Sequence, residues 1–243
     1  MNIHTIILAG GKGTRMLSKK AKVLQVLGGK TMLNHVIATA NKITDKISVV
    51  VGFDKEGVEE EIKKIGINTN IYLQKEQIGT ADAVKTTLND VVEHEKILVL
   101  YGDVPLIKEE TLKKLCRQES DLSILTTILE NPTGYGRVLK DKENNVLEIV
   151  EERDADLEQK KIKEIFTGIL VAKGQILKKH IPEISDNNSA KEFYLTDLIS
   201  IAHKNGFKIK TFSSSSEETT GANSRLEQEE LERTLRIMQA EEL

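Results

Sequence analysis

The first 120 residues alternate short apolar runs with amphipathic stretches, and this alternation constrains the fold more than any other feature. Ile3–Leu8, Ile47–Val51, Asn70–Leu73 and Ile97–Tyr101 are short runs suited to strands, the first, second and fourth rich in Ile, Val and Leu. Between and after them, Thr31–Ile43, Lys55–Ile65, Thr80–Leu88 and Glu109–Arg117 read as helices. In Thr31–Ile43, Leu33, Val36, Ile37 and Ala40 recur at helical spacing, while Asn34 and Asn41 fall on the other face. Short apolar runs joined by helices predict an α/β fold: a mostly parallel, twisted sheet with helices on both faces. Ligands of such sheets bind at the carboxyl ends of the strands. That rule gathers Gly10–Lys22, Gln74–Thr80 and Gly102–Pro105 onto one rim.

The texture changes after Asp121. Leu122–Leu129, Gly136–Leu139, Val146–Val150 and Ile165–Val171 read as extended, with turns at 131–134 and 141–145. They predict a small β-rich lobe. Helices return at Ile176–His180 and Tyr194–Asn205, and Phe207–Phe212 is a last strand. Ser213–Thr220 is polar and short-sided and reads as a loop. Arg225–Glu242 reads as a helix whose loose stripe of Leu226, Leu231, Leu235 and Met238 suits docking on its own domain better than docking on a partner. The expected organisation is one domain over 1–225, in two parts meeting near 120, followed by a helix over 226–243.

Three glycines in four residues follow the first strand, at Gly10, Gly11 and Gly13, with Arg15 and Lys22 close behind. A turn without Cβ atoms lets backbone N–H groups approach an anion, and two cations beside it suit phosphate oxygens. The spacing is neither a P-loop nor the dinucleotide fingerprint: no Gly-Lys-Ser/Thr closes it and no third glycine stands at the required place. A plain glycine turn with solvated cations is the alternative, and Arg15 and Lys22 together favour a nucleotide site.

The run Leu98–Leu106 ends a strand in Tyr101-Gly102-Asp103. An acid there points off the sheet edge, where a metal ion would need it, unless it only caps the next turn. In Gln74–Ala81, a glutamine at a strand end can read a base amide with its paired donor and acceptor. Gly79 and Thr80 open a helix, with Thr80 as N-cap and its free amides facing ligand oxygens. A loop with a capped helix would look the same. Of Glu151 and Glu152, one suits sugar hydroxyls and the other solvent, and Phe193–Asp197 reads as a capped helix start.

Composition mainly excludes. With a net charge of −3 and its lysines and arginines spread along the chain, nothing points to nucleic acid. One cysteine, Cys116, allows no intrachain disulfide, which suits a reducing cytoplasm. The chain opens directly into a strand with no signal peptide, and no apolar run approaches membrane-spanning length, so a cytoplasmic protein is expected. No histidine pairs with another histidine or the cysteine at zinc-ligand spacing, and no Gly-x-Ser-x-Gly elbow exists.

Taken in order, these stretches resemble the sugar nucleotidyltransferases. The likeness is strongest to the N-terminal pyrophosphorylase half of bacterial bifunctional N-acetylglucosamine-1-phosphate uridyltransferase / glucosamine-1-phosphate acetyltransferase. Leu8–Met16, Lys22–Leu24, Gln77–Thr80, Leu100–Ile107, Pro132–Arg137, Ile149–Glu151, Thr167–Leu170, Tyr194–Asp197 and Asn223–Leu226 carry the likeness across nearly the whole chain. The resemblance implies transfer of uridylyl from UTP to a sugar 1-phosphate with release of pyrophosphate. It assigns nucleotide binding to the part before about residue 120 and sugar binding to about 121–225. Leu8, Ala9, Gly10 and Gly11 would line the nucleotide, and Gln74 and Gly79 would read uracil, with Thr80 beside them. Arg15 and Lys22 would hold phosphates, and Asp103 and Asn223 would hold Mg²⁺. Tyr101, Thr80, Gly136, Glu151, Tyr194 and Thr196 would surround the sugar and its phosphate.

One position departs from the family: Phe166 stands where the family has a sugar-contacting asparagine. A ring can neither donate nor accept those hydrogen bonds. The family also continues into a left-handed β-helix that acetylates glucosamine 1-phosphate; none is expected here, nor a trimer built on it. Three readings follow: transfer to N-acetylglucosamine 1-phosphate, transfer to another sugar 1-phosphate, or a nucleotide-sugar-binding regulator without turnover. The intact Arg15, Lys22, Asp103 and Asn223 argue against the third.

Overall fold

The structure, a computed structural model, describes residues 2–13, 20–222 and 224–241. Among these, strands β1 (Ile3–Leu8), β4 (Ile47–Val51), β5 (Asn70–Leu73), β6 (Lys96–Tyr101), β7 (Leu122–Ile128), β8 (Gly136–Lys140), β9 (Val146–Val150), β10 (Glu164–Lys173) and β11 (Ile209–Ser213) form one sheet. Its order is β11-β7-β10-β6-β1-β4-β5, with β8 and β9 branching from β10. Strands β2 (Val26–Leu27) and β3 (Lys30–Thr31) make a separate two-stranded ribbon.

The helices are α1 (Met32–Asn41), α2 (Lys55–Ile65), α3 (Thr80–Lys85), α4 (Glu109–Cys116), α5 (Gly174–His180), α6 (Asp197–Lys204), α7 (Ser216–Thr219) and α8 (Arg225–Glu241). β1 and β4 are buried along their whole length, which is why they read as nearly unbroken apolar runs. Successive side chains feed opposite faces. Ile6, Val50 and Val99 join α3, α5 and α6 in one core, while Ile7, Val49, Leu98 and Leu100 join α1, α2 and α4 in the other. The expected layers, helices on both faces of a sheet, are therefore present.

Within the sheet, β6, β1, β4 and β5 run parallel, as do β11 and β7. β10 runs against β6 and β7, and against β8. Its first half consequently lies at the same rim as the carboxyl ends of β1, β4, β5 and β6. The pairing with β7 slips between Phe166 and Leu170, around Gly168 at φ 91°. Such a bulge re-aims side chains at a sheet edge.

Several boundaries differ from expectation for identifiable reasons. The helix expected from Thr31 begins at Met32, because Thr31 stands before it as N-cap, its side chain accepting from the Asn34 N–H. The helix expected from Tyr194 begins only at Asp197, because Phe193 and Leu195 are tied to the start of α3 by hydrogen bonds described below. Ser213–Thr220 is not all loop: Ser216–Thr219 winds into α7 around the buried Glu218. α8 packs Leu231 and Leu235 on Leu27, Met32 and Leu106, with Met238 beside them. Leu226 is 67% exposed and stands outside that stripe. No helix among the described residues is long and apolar enough to cross a membrane.

Candidate active site

At the carboxyl ends of the parallel strands lies a cleft of about 410 Å³. The three stretches expected to share a rim all reach it, through Gly10, Gly11 and Lys22, through Gln74, Gly79 and Thr80, and through Asp103. The β-rich segments close it from the other side with Gly136, Glu151 and Phe166, joined by Thr196 at the start of α6. Leu8 and Tyr101 also line it. Ala9 does not: its N–H donates to Val50 O at 2.8 Å and its side chain packs in the core. Tyr194 is not among the lining residues either.

The glycine turn is held by neighbouring strands. Gly10 O accepts from Phe53 N at 3.1 Å, and a Cβ on Gly10 would lie 3.2 Å from the Gln74 amide oxygen. Gly11 faces open space. Beside the turn the Lys22 ammonium pairs with the Asp103 carboxylate, both side chains being about 15% exposed. Gly102 fits because a Cβ there would sit 3.0 Å from the Val23 side chain.

Late in the chain, Gly221 comes against Asp103, with its would-be Cβ 3.0 Å from the Asp103 carbonyl oxygen. α7 brings the chain there. Buried Glu218 accepts from the Lys108 N–H at 3.1 Å and from the Thr111 hydroxyl at 3.0 Å, fastening α7 to the start of α4. Sequence reading passed over Glu218, because its partners lie more than 100 residues away. Arg15 and Asn223, expected to hold phosphate and metal, lie outside the described residues. Among the described residues no group of three or more His, Cys, Asp or Glu converges on a common point. A lone carboxylate still suits Mg²⁺, which is commonly held by one or two carboxylates together with substrate phosphates and water.

At the other end of the rim, Gln74 is 4% exposed and its amide orientation is fixed by its neighbours. Nε2 donates to Gly79 O at 2.9 Å and to the Asp82 carboxylate at 3.0 Å. Both partners are acceptors only, so the amide cannot be reversed without losing both bonds. The expectation that Gln74 reads a base with a paired donor and acceptor is corrected: both its N–H groups are committed and only Oε1 remains. Gln77, which sequence reading did not single out for a role of its own, also lines the cleft and donates to Gln74 O at 3.1 Å.

The start of α3 also differs from expectation. Gly79, at φ 133°, occupies the N-cap position, and Thr80 is the first helical residue. The Thr80 hydroxyl accepts from Leu195 N at 3.0 Å, and Ala81 N donates to Phe193 O at 2.9 Å. A Cβ on Gly79 would lie 2.3 Å from that same carbonyl oxygen, so only glycine fits. The first turn thus clasps Phe193–Leu195, and the Ala81 N–H is not available to a ligand oxygen.

That clasp delivers Thr196 to Glu151, and Thr196 Oγ1 donates to the carboxylate at 3.0 Å. Burial pushes the Glu151 carboxyl up from its ordinary range, with the Thr196 bond pulling the other way. A Cβ on Gly136 would meet Ile149 at 2.8 Å and the Glu151 carboxyl at 3.6 Å. Burial likewise raises Tyr101, whose hydroxyl bonds Thr80 and whose ring lies under Gly168. The Tyr194 hydroxyl is pushed up to about 12 by burial and by Asp154, Glu151 and Glu192. Glu152 is not merely solvated: it pairs at 2.6 Å with Arg137, which is 1% exposed, and is held below its ordinary range by that guanidinium. Phe166, 6% exposed, turns an apolar ring to the cleft between these polar groups.

The chain is 42% identical over 242 residues to the bifunctional protein GlmU of Ruthia magnifica subsp. Calyptogena magnifica, covering 98% of this chain and 53% of that protein. It is 44% identical over 239 residues to the GlmU of Thermosipho africanus (strain TCF52B), covering 96% and 51% respectively. The chain therefore spans about half the length of these curated relatives. In fold it is similar to a solved Bacillus anthracis protein described as a glucose-1-phosphate thymidylyltransferase, in complex with sucrose. The TM-score is 0.74 at 18% identity, over 95% of this chain and 94% of that one. Residues 5–155 match the family model of the MobA-like NTP transferase domain, and the chain belongs to that family.

Proposed function

We propose that this chain is a Mg²⁺-dependent uridylyltransferase that makes UDP-N-acetylglucosamine and pyrophosphate from UTP and N-acetylglucosamine 1-phosphate. The observation that carries the reading is that one cleft gathers a glycine turn, the Lys22–Asp103 pair and an amide with only its oxygen left to offer. A fixed acceptor at Gln74 Oε1 favours a base that presents a ring N–H, as uracil does at N3. It disfavours cytosine and adenine, which present a lone pair there. Uridine is preferred over other bases with a ring N–H because the sequence words resemble those of the uridylyltransferase.

The reaction needs no general base. An oxygen of the sugar 1-phosphate, largely ionised at pH 7 because its second pKa is about 6, attacks the α-phosphorus. The bond from that phosphorus to the β-phosphate oxygen breaks, and pyrophosphate leaves with the electron pair. Catalysis then rests on alignment and charge neutralisation. Asp103 would hold the metal ion with Asn223, and Lys22, freed from Asp103, would turn to a phosphate oxygen, joined by Arg15. A bound divalent cation supplies neutralisation of the triphosphate oxygens. Glu151, fixed by Thr196, would accept from sugar hydroxyls, and Gly136, which has no Cβ to crowd that carboxyl, would leave room for them.

Phe166 favours a second reading, with a different sugar 1-phosphate as acceptor, because its ring offers no hydrogen bond. The deciding assay measures pyrophosphate release with Mg²⁺, crossing four nucleoside triphosphates against several sugar 1-phosphates. Release confined to UTP with N-acetylglucosamine 1-phosphate is the expected result. Release with another sugar selects the second reading, and nucleotide binding without any release overturns both.

A further inference from the structure

Asp54 stands out because three features of its surroundings run against local preference. It has φ 54° and ψ 42°, a left-handed conformation unusual for a residue with a Cβ. It occupies the N-cap of α2, where an aspartate ordinarily accepts from its own helix, yet it makes no such bond. In the first turn of that helix stands Gly57, where a Cβ would lie 2.7 Å from the Asp54 carboxylate. The carboxylate lies over that glycine without bonding the helix amides, and accepts instead from Ala21 N at 2.9 Å, 33 residues earlier. Backbone strain of this sort persists where surrounding structure holds it, and it clusters at functional sites.

The three-residue turn Gly52-Phe53-Asp54 touches both ends of the glycine-rich stretch. Phe53 N donates to Gly10 O at 3.1 Å, and the Lys12 ammonium lies 5.7 Å from the Phe53 ring centre. A Cβ on Gly52 would be 2.8 Å from Gly10 O. At the far end, Asp54 grips the N–H of buried Ala21, the residue immediately before Lys22. One turn after β4 therefore fixes where the stretch leaves β1 and where it delivers Lys22 to Asp103.

We infer that Asp54 is a positioning residue: by anchoring Ala21 it sets the Lys22 ammonium where the phosphates of the nucleotide bind. This rests on the nucleotidyl-transfer reading of the cleft and adds to it a residue that touches no substrate. The left-handed backbone and the carboxylate acceptor are separable. Glycine at 54 keeps the first and loses the second, whereas asparagine tolerates the first and retains an acceptor oxygen.

The test uses the full chain as wild type, Asp54→Gly and Asp54→Asn, each alone and combined with Lys22→Ala. Inorganic pyrophosphate is the probe, its affinity measured by calorimetry with Mg²⁺, alongside amide hydrogen exchange at Ala21 and melting temperature. Asp54→Gly should weaken pyrophosphate binding about tenfold, as misplacing one charge-assisted contact would, and speed exchange at Ala21. Asp54→Asn should stay within about threefold of wild type. In the Lys22→Ala background the Asp54→Gly change should shrink to about twofold or less, because the two act through one contact. A merely structural role would lower the melting temperature and weaken binding equally with or without Lys22. Unchanged binding in Asp54→Gly, an equal loss in Asp54→Asn, or an undiminished loss in the Lys22→Ala background would overturn the inference. A wild type that does not bind pyrophosphate would instead overturn the reading of the cleft, and this role with it.

Discussion

Replacing Gln74 by glutamate changes one atom and tests the argument on which base selection rests. The native amide donates to Gly79 O at 2.9 Å and to the Asp82 carboxylate at 3.0 Å, in a site 4% exposed. A carboxylate there donates to neither. The bond to the carbonyl is worth about 1 kcal/mol and that to the carboxylate about 1.5–3 kcal/mol. Two carboxylates then face each other with little water between them, which adds repulsion. A loss of about 3–5 kcal/mol at pH 7 is expected, a large share of the roughly 5–15 kcal/mol that holds a domain folded. The loss should also depend on pH. A proton taken up between the two carboxyls restores a donor, so the folded variant binds more protons than the unfolded one. Its deficit is therefore smaller at pH 5 than at pH 7. Adding Asp82→Asn supplies a donor from the other side and should recover about 2 kcal/mol of the deficit. Urea unfolding of wild type, Gln74→Glu, Asp82→Asn and the double variant at both pH values measures each quantity. A Gln74→Glu variant within about 0.5 kcal/mol of wild type, or one that Asp82→Asn fails to rescue, would refute the assigned orientation. The group facing the base would then be an N–H, and the preference for uracil would lose its support.

Two further outcomes follow from other residues. Asp103→Ala should lower the rate of pyrophosphate release on the order of 10²-fold or more, with the fold retained by circular dichroism, because Lys22 loses its partner and the proposed metal ion would lose its carboxylate; near-normal turnover would remove Asp103 from the reaction. Acid should destabilise the chain through His4, which is fully buried on β1, bonds Ser48 at 2.7 Å and leaves Nδ1 unpartnered. Burial first, and the Lys46 charge second, bring its pKa from 6.5 down to about 4. The folded value lies below the unfolded one, so the unfolded chain binds more protons between them and stability is lost as pH falls from 6.5 towards 4. A gap of about 2.5 pH units sets an upper limit near 3 kcal/mol, and relaxation around the ring brings the expected loss to about 2 kcal/mol. Unfolding midpoints of wild type and His4→Asn should converge over that interval; a difference independent of pH would show that His4 does not titrate there.

What could be read in advance, and what could not, divides along the range of the interactions. The strands β1 and β4 and the helix after Thr31 are local facts: apolar runs and a periodic helix are written within a dozen residues. The rim itself was legible because an alternating sheet sends every strand end to the same edge. The direction of β10 was not, since a strand's side-chain pattern is the same read either way. Yet that reversal is what carries Phe166 and Gly168 to the cleft. Thr80 shows the same limit. Its position after Gly79 looks like a cap, but its hydroxyl is taken by Leu195, 115 residues away. Glu152 looked solvated until the sheet folded Arg137 beneath it. Asp54 is the sharpest instance. An aspartate before a helix reads as its cap, and the sequence does hold the sign that it is not, in the glycine three residues on. That glycine acquires meaning only once the carboxylate is seen lying over it, bonded not to its own helix but to the stretch that delivers Lys22. The residues that hold one segment to another are therefore the ones local pattern misreads, and at this cleft they decide where the charges stand.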